Sequence, residues 1–149
     1  MTREFKRMLI AVEDAEDDEA AVAAGLDLAV DEQSEVIFVH VVSITGERLV
    51  PTHEIARVPV HATDELLIKC CERAGALGLS ATSELLIGYP AKQIALVADD
   101  RDVDLIVVGS RRLSGLRRTV LGSTARALIA ETSRPVLAVP LVAERIPVG

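Results

Sequence analysis

The sequence predicts an α/β protein: a single doubly wound domain spanning 1–149, with a five-stranded parallel sheet and helices on both faces. Three observations carry that prediction. Five short apolar runs punctuate the chain, and four of them are nearly continuous in Val, Ile and Leu. Strands buried on both faces of a parallel sheet read that way. The segments between the runs show helical spacing of their apolar residues. Strand-like and helix-like segments alternate from end to end, which implies right-handed crossovers over both faces of one sheet.

The elements follow in order. RMLIAVE (7–13) is the first strand. Residues 16–32 open with Glu16, Asp17, Asp18 and Glu19 and then place Val22, Leu26, Ala29 and Val30 on one face. Acids suit the positive end of a helix macrodipole, so the acidic stretch is read as a helix start rather than a metal site. EVIFVHVV (35–42) is the second strand. The long piece 43–62 holds two prolines and two of the three histidines, and is expected to be irregular. Residues 63–77 carry Leu66, Leu67, Cys70, Cys71, Ala74 and Leu77 at helical spacing, with Gly78 as the stop. SATSELLI (80–87) is a more polar strand, suited to an edge. Pro90 opens a helix over 90–100 that aligns Ala91, Ile94, Ala95 and Ala98. DLIVVG (104–109) is a buried strand, 123–133 a helix aligning Ala125, Leu128 and Ile129, and PVLAVP (135–140) the last strand.

Composition excludes several functions. The net charge is -7, whereas a general nucleic-acid binder needs a basic surface to neutralise phosphates. Aromatic residues make up 2% of the chain, too few for base-stacking platforms. No apolar run reaches the ~18 residues of a membrane span, and the N-terminus lacks the shape of a signal peptide, so a cytoplasmic protein is expected. The adjacent Cys70 and Cys71 form no CxxC motif and are read as small apolar groups on a helix. His40, His53 and His61 show no ligand spacing and are read as structural or solvated.

In an open sheet of this kind, ligands sit beyond the carboxyl ends of the strands at the topological switch point. Val12-Glu13-Asp14, Val41-Val42-Ser43 and the stretch from Gly109 onward are therefore the candidate segments. The last is the richest. GSRRLSGLRRTVLGST (109–124) joins a buried strand to a helix and contains Arg111, Arg112, Arg117 and Arg118. A helix N-terminus offers unpaired N–H groups and positive partial charge, a natural anion site. Ser123 and Thr124 can donate hydroxyls to phosphate oxygens, or one of them can cap the helix. The loop is not a Walker A motif, because no lysine follows Lys92, and it holds no GxGxxG.

These segments together resemble the universal stress protein family. The LIAVE entry strand, VHVV closing strand two, the GYPAKQI turn and DLIVVGS…LGSTARALIAETSRPVLAVP carry the resemblance over nearly the whole chain. Nucleotide-binding members of that family carry Gly-x2-Gly-x9-Gly-Ser/Thr, which Gly109, Gly122 and Ser123 match at the same spacing, with Arg112 in place of the second glycine. Glu13 stands where those members have Asp. The resemblance implies the spatial strand order 3-2-1-4-5. It implies adenine and ribose contacts at Ala11, Val12, Glu13 and Val41. It places phosphates over Val108, Gly109 and on to Gly122, Ser123 and Thr124. ATP, accompanied by Mg²⁺, is the implied ligand, and Arg112 with Arg111 is expected to clamp the triphosphate through charge-assisted hydrogen bonds.

The strand 135–140 would be an aggregation hazard on an open edge, and pairing with a second copy would satisfy it. The family commonly dimerises there, so a homodimer is expected. The expected role is regulatory or protective in stress response, with a nucleotide-free interaction protein of the same fold as the alternative. Any ATP hydrolysis is expected to be slow, because neither a general base nor a Walker lysine is visible. A receiver domain is excluded, since Gly88-Tyr89-Pro90 and Pro140-Leu141-Val142 stand where its Asp and Lys would be.

Overall fold

A computed structural model describes residues 4–43, 53–58, 64–110 and 121–140 of the chain. Its elements are β1 (Arg7–Ala11), α1 (Glu19–Glu32), β2 (Glu35–Ser43), α2 (Glu65–Ala76), β3 (Ala81–Gly88), α3 (Pro90–Asp100), β4 (Leu105–Ser110), α4 (Ser123–Glu131) and β5 (Val136–Pro140). The strands form one sheet in the order β3-β2-β1-β4-β5, with every neighbouring pair parallel. This is the predicted architecture, and the more polar strand β3 does lie at an edge.

Alternation along the strands divides the core into two layers. Met8, Ile10, Val12, Phe38 and Val107 pack with Val22, Leu26, Ala29, Leu67, Cys70 and Ala74, so α1 and α2 cover one face. Leu9, Ile37, Val39, Val41, Ile106 and Val108 pack with Ile94, Ala95, Ala98, Ala125 and Leu128, so α3 and α4 cover the other. With few aromatics available, close approach of backbone replaces bulk. Gly25 of α1 lies directly over Ile10 of β1, where an added Cβ would come within 2.6 Å of the Ile10 Cδ1.

The helix ends follow local chemistry. Asp64 caps α2 by accepting from the Leu67 N–H at 3.0 Å. The Asp64 carboxylate also meets His40 Nδ1 at 2.6 Å, so His40 is a structurally partnered histidine that joins β2 to the start of α2. Gly78 ends that helical segment at φ 78, the left-handed conformation a glycine adopts without strain. Pro90 occupies the first turn of α3 as its sequence predicts.

One expectation is corrected. Of the acids expected to open the helix, only Glu19 lies in the first turn of α1, with Asp18 at its N-cap. Residues 14–18 make a separate turn in which Asp14 Oδ1 accepts from the Glu16 and Asp17 N–H groups, and α1 begins only at Glu19. Short carboxylate side chains bond nearby backbone amides and so compete with helix. The described part of the stretch expected to be irregular, 53–58, makes a single isolated bridge to β3. Arg57 bridges Leu86 in antiparallel fashion, the Val58 N–H donates to Leu85 O, and the Ile87 N–H donates to Ala56 O. Gln93 holds this segment from α3 by accepting from the Ala56 N–H and donating to Glu54 O, each at 2.9 Å. Arg57 adds a 2.8 Å bond to Glu84. The β3 edge is thereby paired locally, at Leu85 to Ile87. Among the described residues, no helix is long and apolar enough to cross a membrane.

Candidate functional site at the switch point

β1 and β4 are neighbours whose connections leave in opposite directions, which makes the gap between their carboxyl ends the switch point of the sheet. A cavity of about 120 Å³ opens there. Ala11, Val12, Glu13, Val41, Val108, Gly109, Gly122, Ser123 and Thr124 all line it. Those are nine of the eleven predicted site residues, and they come from β1, β2, β4 and the start of α4. Arg111 and Arg112 lie outside the described residues.

Each wall has a physical origin. Val12 continues the β1 ladder by donating its N–H to Val39 O at 2.8 Å, and the chain then turns away from the sheet. Val39 and Val41 form an apolar floor with Ile94 and Val108. Such a floor suits a flat, weakly polar ring. The opposite wall is the N-terminus of α4. Its N-cap is Gly122, and among the described residues no side-chain cap is made. Neither Ser123 nor Thr124 therefore stands at the N-cap position, and the first turn of α4 lines the cavity with Gly122, Ser123 and Thr124. The Gly122 N–H itself donates to Ser110 Oγ at 3.3 Å, tying the helix start to the end of β4.

Five further residues line the cavity that sequence reasoning did not place there: Asp18, Val39, Pro90, Ile94 and Ala125. Val39, Ile94 and Ala125 read as ordinary core, and only the packing of α3 and α4 over the β2 end brings them to the floor. Asp18 reads as a helix-start acid. The turn at 14–18 carries it back over the sheet instead, where Oδ2 accepts from the Glu13 N–H at 2.6 Å and the Asp14 N–H at 2.9 Å. Its signal in the sequence is faint, because three consecutive acids, Glu16, Asp17 and Asp18, precede α1 and nothing distinguishes the third from the others. Among the described residues, no group of His, Cys, Asp or Glu side chains is arranged to hold a metal ion.

Residues 4–140 match the family model described as the universal stress protein family. The chain belongs to the universal stress protein family. Universal stress protein YxiE of Bacillus subtilis is 33% identical over 146 residues, covering 91% of this chain and 99% of that protein. A universal stress protein solved in complex with cAMP superposes with a TM-score of 0.68 at 19% identity, covering 94% of this chain and 100% of that one. The universal stress protein of Archaeoglobus fulgidus in complex with dAMP gives 0.62 at 20% identity, covering 91% of this chain and 98% of that one. At such identities these two universal stress protein structures speak for the shared fold.

Proposed function

We propose that this universal stress protein binds an adenine nucleotide, ATP with its Mg²⁺, in the switch-point cavity, and that it acts as a regulatory or protective homodimer in stress response. The observation that carries the reading is the convergence of nine predicted residues on one cavity that has an apolar floor and a helix N-terminus with glycine at its cap. The floor of Val39, Val41, Val108 and Ile94 suits adenine. Glu13 at the end of β1 offers a carboxylate acceptor for ribose hydroxyls. The amides and hydroxyls of Ser123 and Thr124 suit phosphate. The enclosed volume of about 120 Å³ falls below the roughly 300–1,000 Å³ of whole-ligand pockets, so it fits one part of a nucleotide while the rest extends along the α4 side. Arg111 and Arg112, next in sequence after β4, supply guanidinium groups for the triphosphate. Relatives solved with cAMP and dAMP support the choice of an adenine nucleotide.

The dimer is proposed through β5, the second edge of the sheet, where Leu137 is 38% exposed and Ile129 of α4 is 53% exposed. The decisive experiment is mass spectrometry of ligand released from purified protein, with calorimetry against Mg-ATP. An adenine nucleotide in the eluate, or saturable binding heat, is the expected result. No released nucleotide and no heat at millimolar ATP would leave a nucleotide-free interaction protein of the same fold. Light scattering at micromolar protein reads the dimer directly, and a monomeric mass would refute it.

A further inference from the structure

Asp18 precedes α1 as its N-cap but makes no side-chain bond to that helix. Its Oδ2 is spent on the backbone N–H groups of Glu13 and Asp14. Its Oδ1 lies against Gly109, where an added Cβ would come within 2.7 Å of it. The carboxylate thus sits in the crevice between the ends of β1 and β4, on the wall of the cavity that α4 also lines. Two adjacent backbone amides aimed at one point are the usual means of holding an anion. Here the chain supplies that anion itself.

We propose that Asp18 sets the charge selectivity of this site, an inference that rests on the nucleotide reading above. The internal carboxylate occupies the amide pair at the end of β1, so a ligand phosphate is confined to the α4 side. A phosphate drawn towards Gly109 meets a fixed negative charge. A carboxylate only accepts hydrogen bonds, so the same wall favours groups that donate, such as hydroxyls. Adenosine carries no phosphate, so its affinity does not suffer this repulsion. Affinity for ATP is held below what the α4 terminus and the arginines would give. Glycine at 109 is what makes room for this arrangement, because any side chain there would displace the carboxylate.

The test compares adenosine and ATP binding by calorimetry, without Mg²⁺ and at fixed ionic strength, in the wild-type protein and in Asp18→Asn. Asparagine keeps a side-chain oxygen to accept from both N–H groups while removing the charge. A second variant, Asp18→Ser, removes the charge with a shorter side chain and covers the case in which Asn disturbs the turn; thermal melts check the fold of both. The expected result is ATP affinity about ten-fold higher in the neutral variants, as removal of a repulsive charge a few ångströms from the ligand implies. The gain should shrink as salt is raised, with no gain in adenosine affinity, because adenosine has no phosphate and its hydroxyls gain nothing from the loss of a carboxylate acceptor. Unchanged ATP affinity in variants that still bind adenosine overturns the role of Asp18 and leaves the nucleotide site standing. Absence of binding of either ligand by all three proteins overturns the nucleotide reading, and this proposal with it.

Discussion

Replacing Gly25 by Ala tests how closely α1 lies on the sheet. Two effects oppose each other. Alanine in a helix interior is worth roughly 1 kcal/mol over glycine. Against that, the new Cβ would stand 2.6 Å from Ile10 Cδ1, 3.1 Å from Ile10 Cγ1 and 3.6 Å from Val107 Cγ1. Carbon pairs rest about 3.5–4.0 Å apart, so the nearest contact is short by about 1 Å. Ile10 is wholly buried in a central strand paired on both sides, and it cannot retreat without leaving its rotamer or lifting the helix. Overpacking of that kind costs about 1–3 kcal/mol. The net expectation is a loss of about 1 kcal/mol, or a fall in Tm of about 3 °C for a chain of this size. Urea unfolding of the single variants Gly25→Ala and Ile10→Val, and of the double variant, isolates the clash. Ile10→Val alone removes the Cδ1 and should cost about 0.5–1.5 kcal/mol. The double variant should be more stable than the sum of the two losses by at least about 0.5 kcal/mol, because the atom that clashes is gone. A Gly25→Ala protein more stable than wild type by about 1 kcal/mol, with additive behaviour in the double variant, would refute the argument.

Three further outcomes follow from the same structure. Burial acts to raise the Asp64 carboxyl, but the Leu67 N–H, the His40 ring and the Leu66 N–H together hold it below its ordinary 3.8. A depressed carboxyl contributes stability that is present above its unfolded pKa and lost as pH falls through the folded one. The stability gap between wild type and Asp64→Asn, measured by urea unfolding, should therefore be widest near neutrality and close below about pH 4. Gln93 is buried and bonds both Ala56 and Glu54, so Gln93→Leu leaves the Ala56 N–H without its acceptor. A loss of about 1–3 kcal/mol is expected, with faster hydrogen exchange at Val58 and Ile87, whose N–H groups bond across to β3 and back. Gly109→Ala should evict the Asp18 carboxylate from its two amides at a cost of about 1–3 kcal/mol. Amide NMR would show it as shifts at Glu13 and Asp14, the two donors that lose their acceptor.

Much of this protein was written in its sequence. Continuous apolar runs such as MLIA and LIVV can only be satisfied between two helical layers, so RMLIAVE and DLIVVG declared a sheet buried on both faces. Pro90 and Gly78 marked helix ends because their allowed backbone angles do so wherever they occur. Alternation also pointed to the rim where the candidate cavity lies, since the carboxyl ends of parallel strands open on one rim. Ala11, Val12, Glu13, Val41, Val108, Gly109, Gly122, Ser123 and Thr124 reached a common cavity from four separate segments for that reason. What tertiary structure alone decided was the use made of polar side chains within reach of backbone. The acids at 14–18 carried a helix-start signal, and their short carboxylates instead closed a turn and sent Asp18 into the crevice. The segment at 53–58 had no strand period, yet Gln93 of α3 and the open ladder of β3 gave it hydrogen bonds. Local pattern reports which surface a residue must bury. Only the folded chain determines which amide a carboxylate or carboxamide can reach, because that distance is set by elements far apart in sequence.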